Sequence, residues 1–201
     1  MYKLYVDKHY IIEDENGKRF LIDTGMPYSF TFHKIIDFHN KTIKPSPFFC
    51  YKEKKIKEII EMDVDGFIGM DLLGNGFTIN KDTFEFDVYE YDNSIDMIRD
   101  SPIMINVEIC GKNVDTVVDT GAMINYIDKN IIGPRTSLGT KYDYNPAIGE
   151  INANYYLGTI NGKPEEVSEK TFNILYNFIN PKKLYEASIS FDFKNRKIYF
   201  K

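Results

Sequence analysis

The strongest constraint on this chain is that it repeats itself. Residues 17–30 read Gly-Lys-Arg-Phe-Leu-Ile-Asp-Thr-Gly-Met-Pro-Tyr-Ser-Phe, and residues 111–127 read Gly-Lys-Asn-Val-Asp-Thr-Val-Val-Asp-Thr-Gly-Ala-Met-Ile-Asn-Tyr-Ile. Each copy has a Gly-Lys turn, a short apolar run, the tripeptide Asp-Thr-Gly and a further apolar stretch. The residues ahead of each turn also match, 8–13 in the first copy and 103–109 in the second. Each copy is therefore expected to open as a hairpin whose second strand delivers Asp-Thr-Gly at its end. The copies close alike as well. Residues 76–88 and 187–200 both read as hairpins, with turns at Asn80-Lys81-Asp82 and Lys194-Asn195-Arg196 between alternating apolar residues.

A chain of 201 residues has room for one substantial core or two small ones that share an interface. The polar stretch 91–101 ends before Pro102 and reads as the connection. The expected division is a first lobe over 1–92, a linker over 93–101 and a second lobe over 102–201. The 15 Tyr and 15 Phe, with many Ile and Val, favour sheet. No helix–strand alternation suggests a doubly wound fold. Short helices are predicted at 33–39, 54–61 and 166–178. The fold class is all-β.

Charge excludes one class of partner. A net charge of −5 offers nothing to neutralise a run of phosphates, so no nucleic-acid partner is expected. The lysines from Lys52 to Lys57 are interrupted by Glu53 and read as a solvated face. Cys50 and Cys110 are too sparse for a disulfide framework. The N-terminus has no apolar run of signal-peptide length and no stretch approaches a membrane span, so a cytoplasmic protein without membrane contact is expected. The Asn40-Lys41-Thr42 sequon matters only in a eukaryotic secretory protein.

The repeated tripeptide carries chemistry. Glycine after Asp-Thr lets the backbone turn sharply and approach a partner segment. The threonine hydroxyl can satisfy buried backbone groups across a tight two-fold interface. A repeated Asp then sets two carboxyls face to face, and such a pair shares one proton near neutral pH. The plain alternative is two turn aspartates that stabilise strand ends.

With these residues in view, the chain resembles aspartic peptidases of the pepsin and retropepsin clan, most specifically at Asp23-Thr24-Gly25 and Asp119-Thr120-Gly121. A downstream apolar-apolar-Gly segment is a further family element, matched in the first half by Phe67-Ile68-Gly69. In the second half Ile174-Leu175-Tyr176 is the counterpart, with Tyr where the family has Gly, and Tyr155-Tyr156-Leu157-Gly158 competes for the place. Pro27 departs from the family's small residues. In size the chain is similar to two retropepsin subunits fused into one.

The resemblance implies a pepsin-like acid protease fold, two pseudo-symmetric β lobes with a cleft between them, working as a monomer. It implies Asp23 and Asp119 as the catalytic pair, supported by Thr24, Gly25, Thr120 and Gly121, with no metal and no cofactor. Water held between the carboxyls would attack a polypeptide bound as an extended strand across the cleft. A β-hairpin flap closes over the substrate in this clan. The better hairpin here lies in the second half, over 141–156, with Ala147, Ile148 and Gly149 at its tip, whereas 47–61 reads as helix. A Tyr-rich ordinary hairpin is the other reading of 141–156. The alternative to an active endopeptidase is a peptidase-like module that binds peptide and hydrolyses it poorly, favoured by Tyr176 and Pro27. His33, Asp37 and His39 read as surface residues in preference to a metal site, and Asp71 as a turn cap.

Overall fold

The computed structural model describes residues 1–6, 9–50, 52–145, 148–172 and 175–201. Strands hold 49% of the residues and helices 12%, so the chain is predominantly β, in a large mixed sheet. The first half runs β1 (Tyr2–Val6), β2 (Tyr10–Glu13), β3 (Arg19–Ile22), β4 (Phe30–Thr31), β5 (Ile36–Phe38) and β6 (Lys41–Ile43). It continues through α1 (Pro47–Cys50), α2 (Glu53–Ile60), β7 (Gly66–Ile68), α3 (Met70–Leu73), β8 (Gly76–Asn80) and β9 (Thr83–Glu85). After β10 (Asn93–Asp100), the second half runs β11 (Ile103–Ile109), β12 (Lys112–Val118), β13 (Tyr126–Ile127), α4 (Lys129–Ile132) and β14 (Gly139–Asn145). It ends with β15 (Gly149–Ile160), β16 (Lys163–Glu169), β17 (Asn177–Ile179), a 3-10 turn over Pro181–Lys183, β18 (Ser188–Asp192) and β19 (Lys197–Phe200).

The repeat in sequence becomes a repeat in pairing. β2 and β3 form one hairpin and β11 and β12 the other, turning at Gly17 and Gly111, whose φ values of 74° and 78° suit glycine. β3 then pairs in parallel with β7, and β12 in parallel with β17. β7 also lies antiparallel to β4, as β17 does to β13. β3 and β7 are buried almost throughout because they are covered on both faces, and their residues accordingly read as continuous apolar runs.

The halves are joined edge to edge. A continuous antiparallel run of strands goes β1, β9, β8, β18, β19, β10. Its centre is the β8–β18 pair, where Phe77 faces Phe191 with ring centroids 4.5 Å apart and the Thr78 and Ser190 hydroxyls meet at 2.8 Å. One apolar cluster runs through both halves, from Leu4, Phe20 and Ile22 to Ile105, Ile189 and Ile198. Both chain ends lie in this run, β1 on β2 and β9, and β19 on β18 and β10, so these strand edges are occupied.

Three expectations from sequence need correction. The stretch expected to link the halves is mostly the strand β10, which holds for the second half the place that β1 holds for the first. It is polar because most of its side chains face solvent. Residues 33–39 are not helical: Phe38 turns inward onto Phe20, and His39 and Asn40, at φ 44° and 62°, turn the chain into β6. The predicted helix over 166–178 is replaced by the end of β16 and by β17. Val167 and Ser168 are buried in this strand while Glu166 is exposed, and the many glutamates disguise it. The helix expected at 54–61 is present as α2, with Ile56 and Ile60 inward one turn apart and Glu61 ending it at φ 58°.

Candidate active site

Asp23 and Asp119 follow directly on β3 and β12, the paired central strands of the two halves. The backbone N–H of Asp23 donates to the Ile68 carbonyl and that of Asp119 to the Ile179 carbonyl, both at 2.9 Å, so each parallel strand fixes its aspartate's backbone. The next residues lock the two loops together. Thr24 N–H donates to Thr120 Oγ1 and Thr120 N–H to Thr24 Oγ1, each at 3.0 Å. The hydroxyls in turn donate across the interface, Thr24 to the Val118 carbonyl at 2.8 Å and Thr120 to the Ile22 carbonyl at 2.7 Å. All four bonds are buried, and serine or threonine is the side chain that both donates and accepts at this length.

Glycine completes the approach. A Cβ built on Gly25 would lie 2.8 Å from an Asp119 carboxyl oxygen, and one on Gly121 would lie 2.7 Å from the Asp23 carboxyl. Each carboxyl thus occupies the space that a side chain on the opposite loop would take. The Gly25 N–H donates to Asp23 Oδ1 at 2.9 Å and the Gly121 N–H to Asp119 Oδ1 at 2.8 Å. The two carboxyls face each other across this contact and act on each other electrostatically.

The pair is electrostatically unequal. Burial, and then the charge of Asp119, hold the Asp23 carboxyl well above the ordinary carboxylate range. Burial also raises Asp119, but the Gly121 N–H and the Asp23 side chain pull it back. Both carboxyls are thus held above the ordinary range, and the pair shares a proton and titrates as a unit.

The pair opens on a cavity of about 270 Å³. The first half contributes an apolar wall that includes Met26, Ile56, Ile60 and Phe67. The second half contributes Tyr126, Ile151, Phe172 and Phe178, together with Asp143. Overhead, β14 and β15 form the hairpin expected from sequence, in register from Gly139↔Tyr155 to Asn145↔Gly149. Ile148 at its tip lines the cavity; of the three tip residues, Ala147 lies outside the described residues. Helix α2 faces the hairpin across the cavity, and Lys55 ties them together, 3.2 Å from Glu150 and over the Tyr142 ring.

The chain matches no protein-family model, and no curated protein is significantly similar to it. The case for a function therefore rests on the site itself.

Other candidate residues take structural places. His33 pairs with Glu53, and His39 stacks on Phe86 at 3.8 Å. Among the described residues no group of three His, Cys, Asp or Glu is arranged to hold a metal ion. Asp71 does not cap its own helix; it accepts from the N–H and hydroxyl of Ser29 at 2.7 and 2.6 Å. Cys50 and Cys110 are both free thiols. Among the described residues no helix is long and apolar enough to cross a membrane.

The second-half counterpart of Phe67-Ile68-Gly69 is neither segment expected from sequence. Val117 and Val118 pair with Phe178 and Ile179 as Leu21 and Ile22 pair with Phe67 and Ile68, so the counterpart is Phe178-Ile179-Asn180. Ile174 lies outside the described residues, Leu175 is exposed, and Gly158 sits in β15. The matching Phe-Ile pair was the available signal, hidden by the Asn that follows it. Asn180 performs with its side chain what the backbone does in the first half. Its amide donates to the Ala122 carbonyl at 2.7 Å, where the Met70 N–H donates to the Met26 carbonyl at 2.9 Å. Its N–H donates to Asn125 Oδ1, where the Gly69 N–H donates to Ser29 Oγ. Tyr126 and Asp143 also escaped sequence reading, because their partnership spans 17 residues and two strands.

Proposed function

We propose that this protein is an aspartic endopeptidase on a two-lobed fold of the pepsin and retropepsin type. The observation that carries the reading is the Asp23–Asp119 pair, brought face to face by reciprocal threonine and glycine contacts. Two carboxyls in this setting, one protonated and one ionised, supply an acid and a base at the same place. In this reading the ionised carboxyl of the pair takes a proton from a water lying between the carboxyls as that water attacks the scissile carbonyl. The protonated carboxyl donates its proton toward the carbonyl oxygen. The resulting gem-diol collapses as the amide nitrogen receives a proton, with no covalent intermediate.

The cavity suits an extended peptide. It is apolar on both sides of the pair and roofed by a hairpin, whose strands offer main-chain groups to a bound strand. Both aspartates come from one chain, so one molecule holds a whole site and a monomer suffices.

The test is cleavage of a diverse peptide mixture with and without pepstatin, alongside Asp119→Asn. Pepstatin-sensitive cleavage that the variant lacks supports the reading. Tight pepstatin binding without cleavage would instead indicate a peptide-binding module, and neither binding nor cleavage would defeat both.

A further inference from the structure

The internal repeat provides a comparison within one molecule. Phe30 and Tyr126 occupy matching places, seven residues after their aspartates and opposite Phe67 and Phe178. On the first-half side Phe30 stacks on Phe49 and Phe67, at 4.2 and 4.8 Å, within a wholly apolar cluster. On the second-half side the tyrosine hydroxyl donates to Asp143 Oδ2 at 2.6 Å. Asp143 Oδ1 also accepts from the Tyr144 N–H at 2.7 Å. The carboxyl is 6% exposed, lines the cavity and is close enough to Asp119 to raise that group's pKa.

A carboxyl placed in an apolar wall is expensive to keep unless something compensates its charge. Burial holds the Asp143 carboxyl above the ordinary carboxylate range, and the neutral donors of Tyr126 and the backbone offset it only in part. Among the described residues no lysine or arginine lines the cavity, although His9 does. The aromatic rings of Tyr126, Phe172 and Phe178 pack in sequence beside it, with centroids 5.0 and 6.0 Å apart. This combination matches a long basic side chain, whose methylene stem lies on apolar and aromatic surface and whose charged head reaches an acid. The negative field of the carboxyls, in a low-dielectric cleft, attracts a cation further.

We propose that the second-half wall of the cleft is a subsite for a lysine or arginine side chain of the substrate, selected by Asp143, while the first-half wall accepts an apolar side chain. This deepens the endopeptidase reading and rests on it for the identity of the ligand as a peptide.

The test uses statine-centred peptides carrying lysine or norleucine at each of the three positions on either side of the statine. Binding to the wild type and to Asp143→Asn is measured by calorimetry at pH 7, and cleavage of the corresponding amide peptides is followed in parallel. Asparagine removes the charge, keeps one oxygen to accept from the Tyr144 N–H, and turns an amide donor toward the Tyr126 hydroxyl, which can reverse its role and accept. At one position lysine should bind about tenfold or more tightly than norleucine to the wild type, as a charge-assisted hydrogen bond implies. That ratio should fall to about one in Asp143→Asn, and in Asp143→Ser should the asparagine variant not fold. No lysine preference at any position, or a preference that survives loss of the charge, overturns the subsite. Cleavage without lysine selectivity defeats the subsite alone, whereas lysine-selective binding without cleavage defeats only the catalytic reading. Absence of both binding and cleavage defeats the two together.

Discussion

The hydroxyls of Thr24 and Thr120 are each other's anchor: each accepts from the other's backbone N–H at 3.0 Å and donates to a carbonyl of the opposite half. Replacing Thr24 by valine keeps the volume and strands two groups, the Thr120 N–H and the Val118 carbonyl, in a buried place. A loss of about 2–4 kcal/mol in unfolding free energy is expected, with most of it restored by Thr24→Ser. Urea denaturation of the three proteins measures it. A valine variant as stable as the wild type would show that the two loops are held by something else.

Neutralising one member of the aspartate pair should separate activity from stability. Asp119→Asn is expected to lower kcat by about 10³-fold or more, since the amide cannot exchange the proton that either role of the pair needs. Stability should hold or rise, with a distinct pH signature. Both carboxyls are raised above 3.8 in the folded chain. Between about pH 4 and the raised values the folded chain keeps protons that the unfolded chain has released, so wild-type stability falls as pH rises through that window. Asp119→Asn should flatten the fall. Melting temperatures from pH 3 to 8 compare the slopes, and an unchanged slope counts against like-charge strain.

The residue after each triplet bears on the working pH. Met26 and Ala122 offer the aspartates no side-chain hydroxyl, only backbone N–H groups. A missing donor leaves the ionised form less stabilised, which adds to the upward push of burial. A bell-shaped profile of kcat/KM centred at about pH 5 to 6 is expected, with both limbs belonging to the pair. An optimum below about pH 3.5, where pepsin's lower values lie, contradicts this.

Gly69 and Asn180 should fail for opposite reasons. A Cβ on Gly69 would meet the Met26 carbonyl oxygen and the Tyr28 carbonyl carbon at 2.8 Å, both backbone atoms that cannot step aside. Gly69→Ala is therefore expected to lose about 1–3 kcal/mol through overpacking. Asn180→Ala instead removes partners from the Ala122 carbonyl and the Lys182 N–H, and about 2–4 kcal/mol is expected. Chemical denaturation gives both values. Tolerance of alanine at 180 would mean that the amide merely fills space.

Elements that depend on local pattern were legible from the residues alone. The repeated Gly-Lys turn, apolar strand and Asp-Thr-Gly marked both hairpins and both aspartates, because turn chemistry and strand alternation act over a few residues. Helix α2 was legible for the same reason, from Ile56 and Ile60 one turn apart among lysines and glutamates. Only the tertiary structure decided which distant segments meet. Residues 93–100 look like a polar linker until β19 and β11 pair with them, since backbone pairing leaves little trace in side-chain polarity. Phe178-Ile179-Asn180 is the counterpart of Phe67-Ile68-Gly69 because parallel pairing with β12 places it there, and an amide then takes over a bond that the backbone makes in the other half. Asp143 is unremarkable in a Tyr-rich hairpin; its burial against Tyr126 follows from how that hairpin closes over the cleft, and a hydrogen bond between separate strands has no sequence period to announce it.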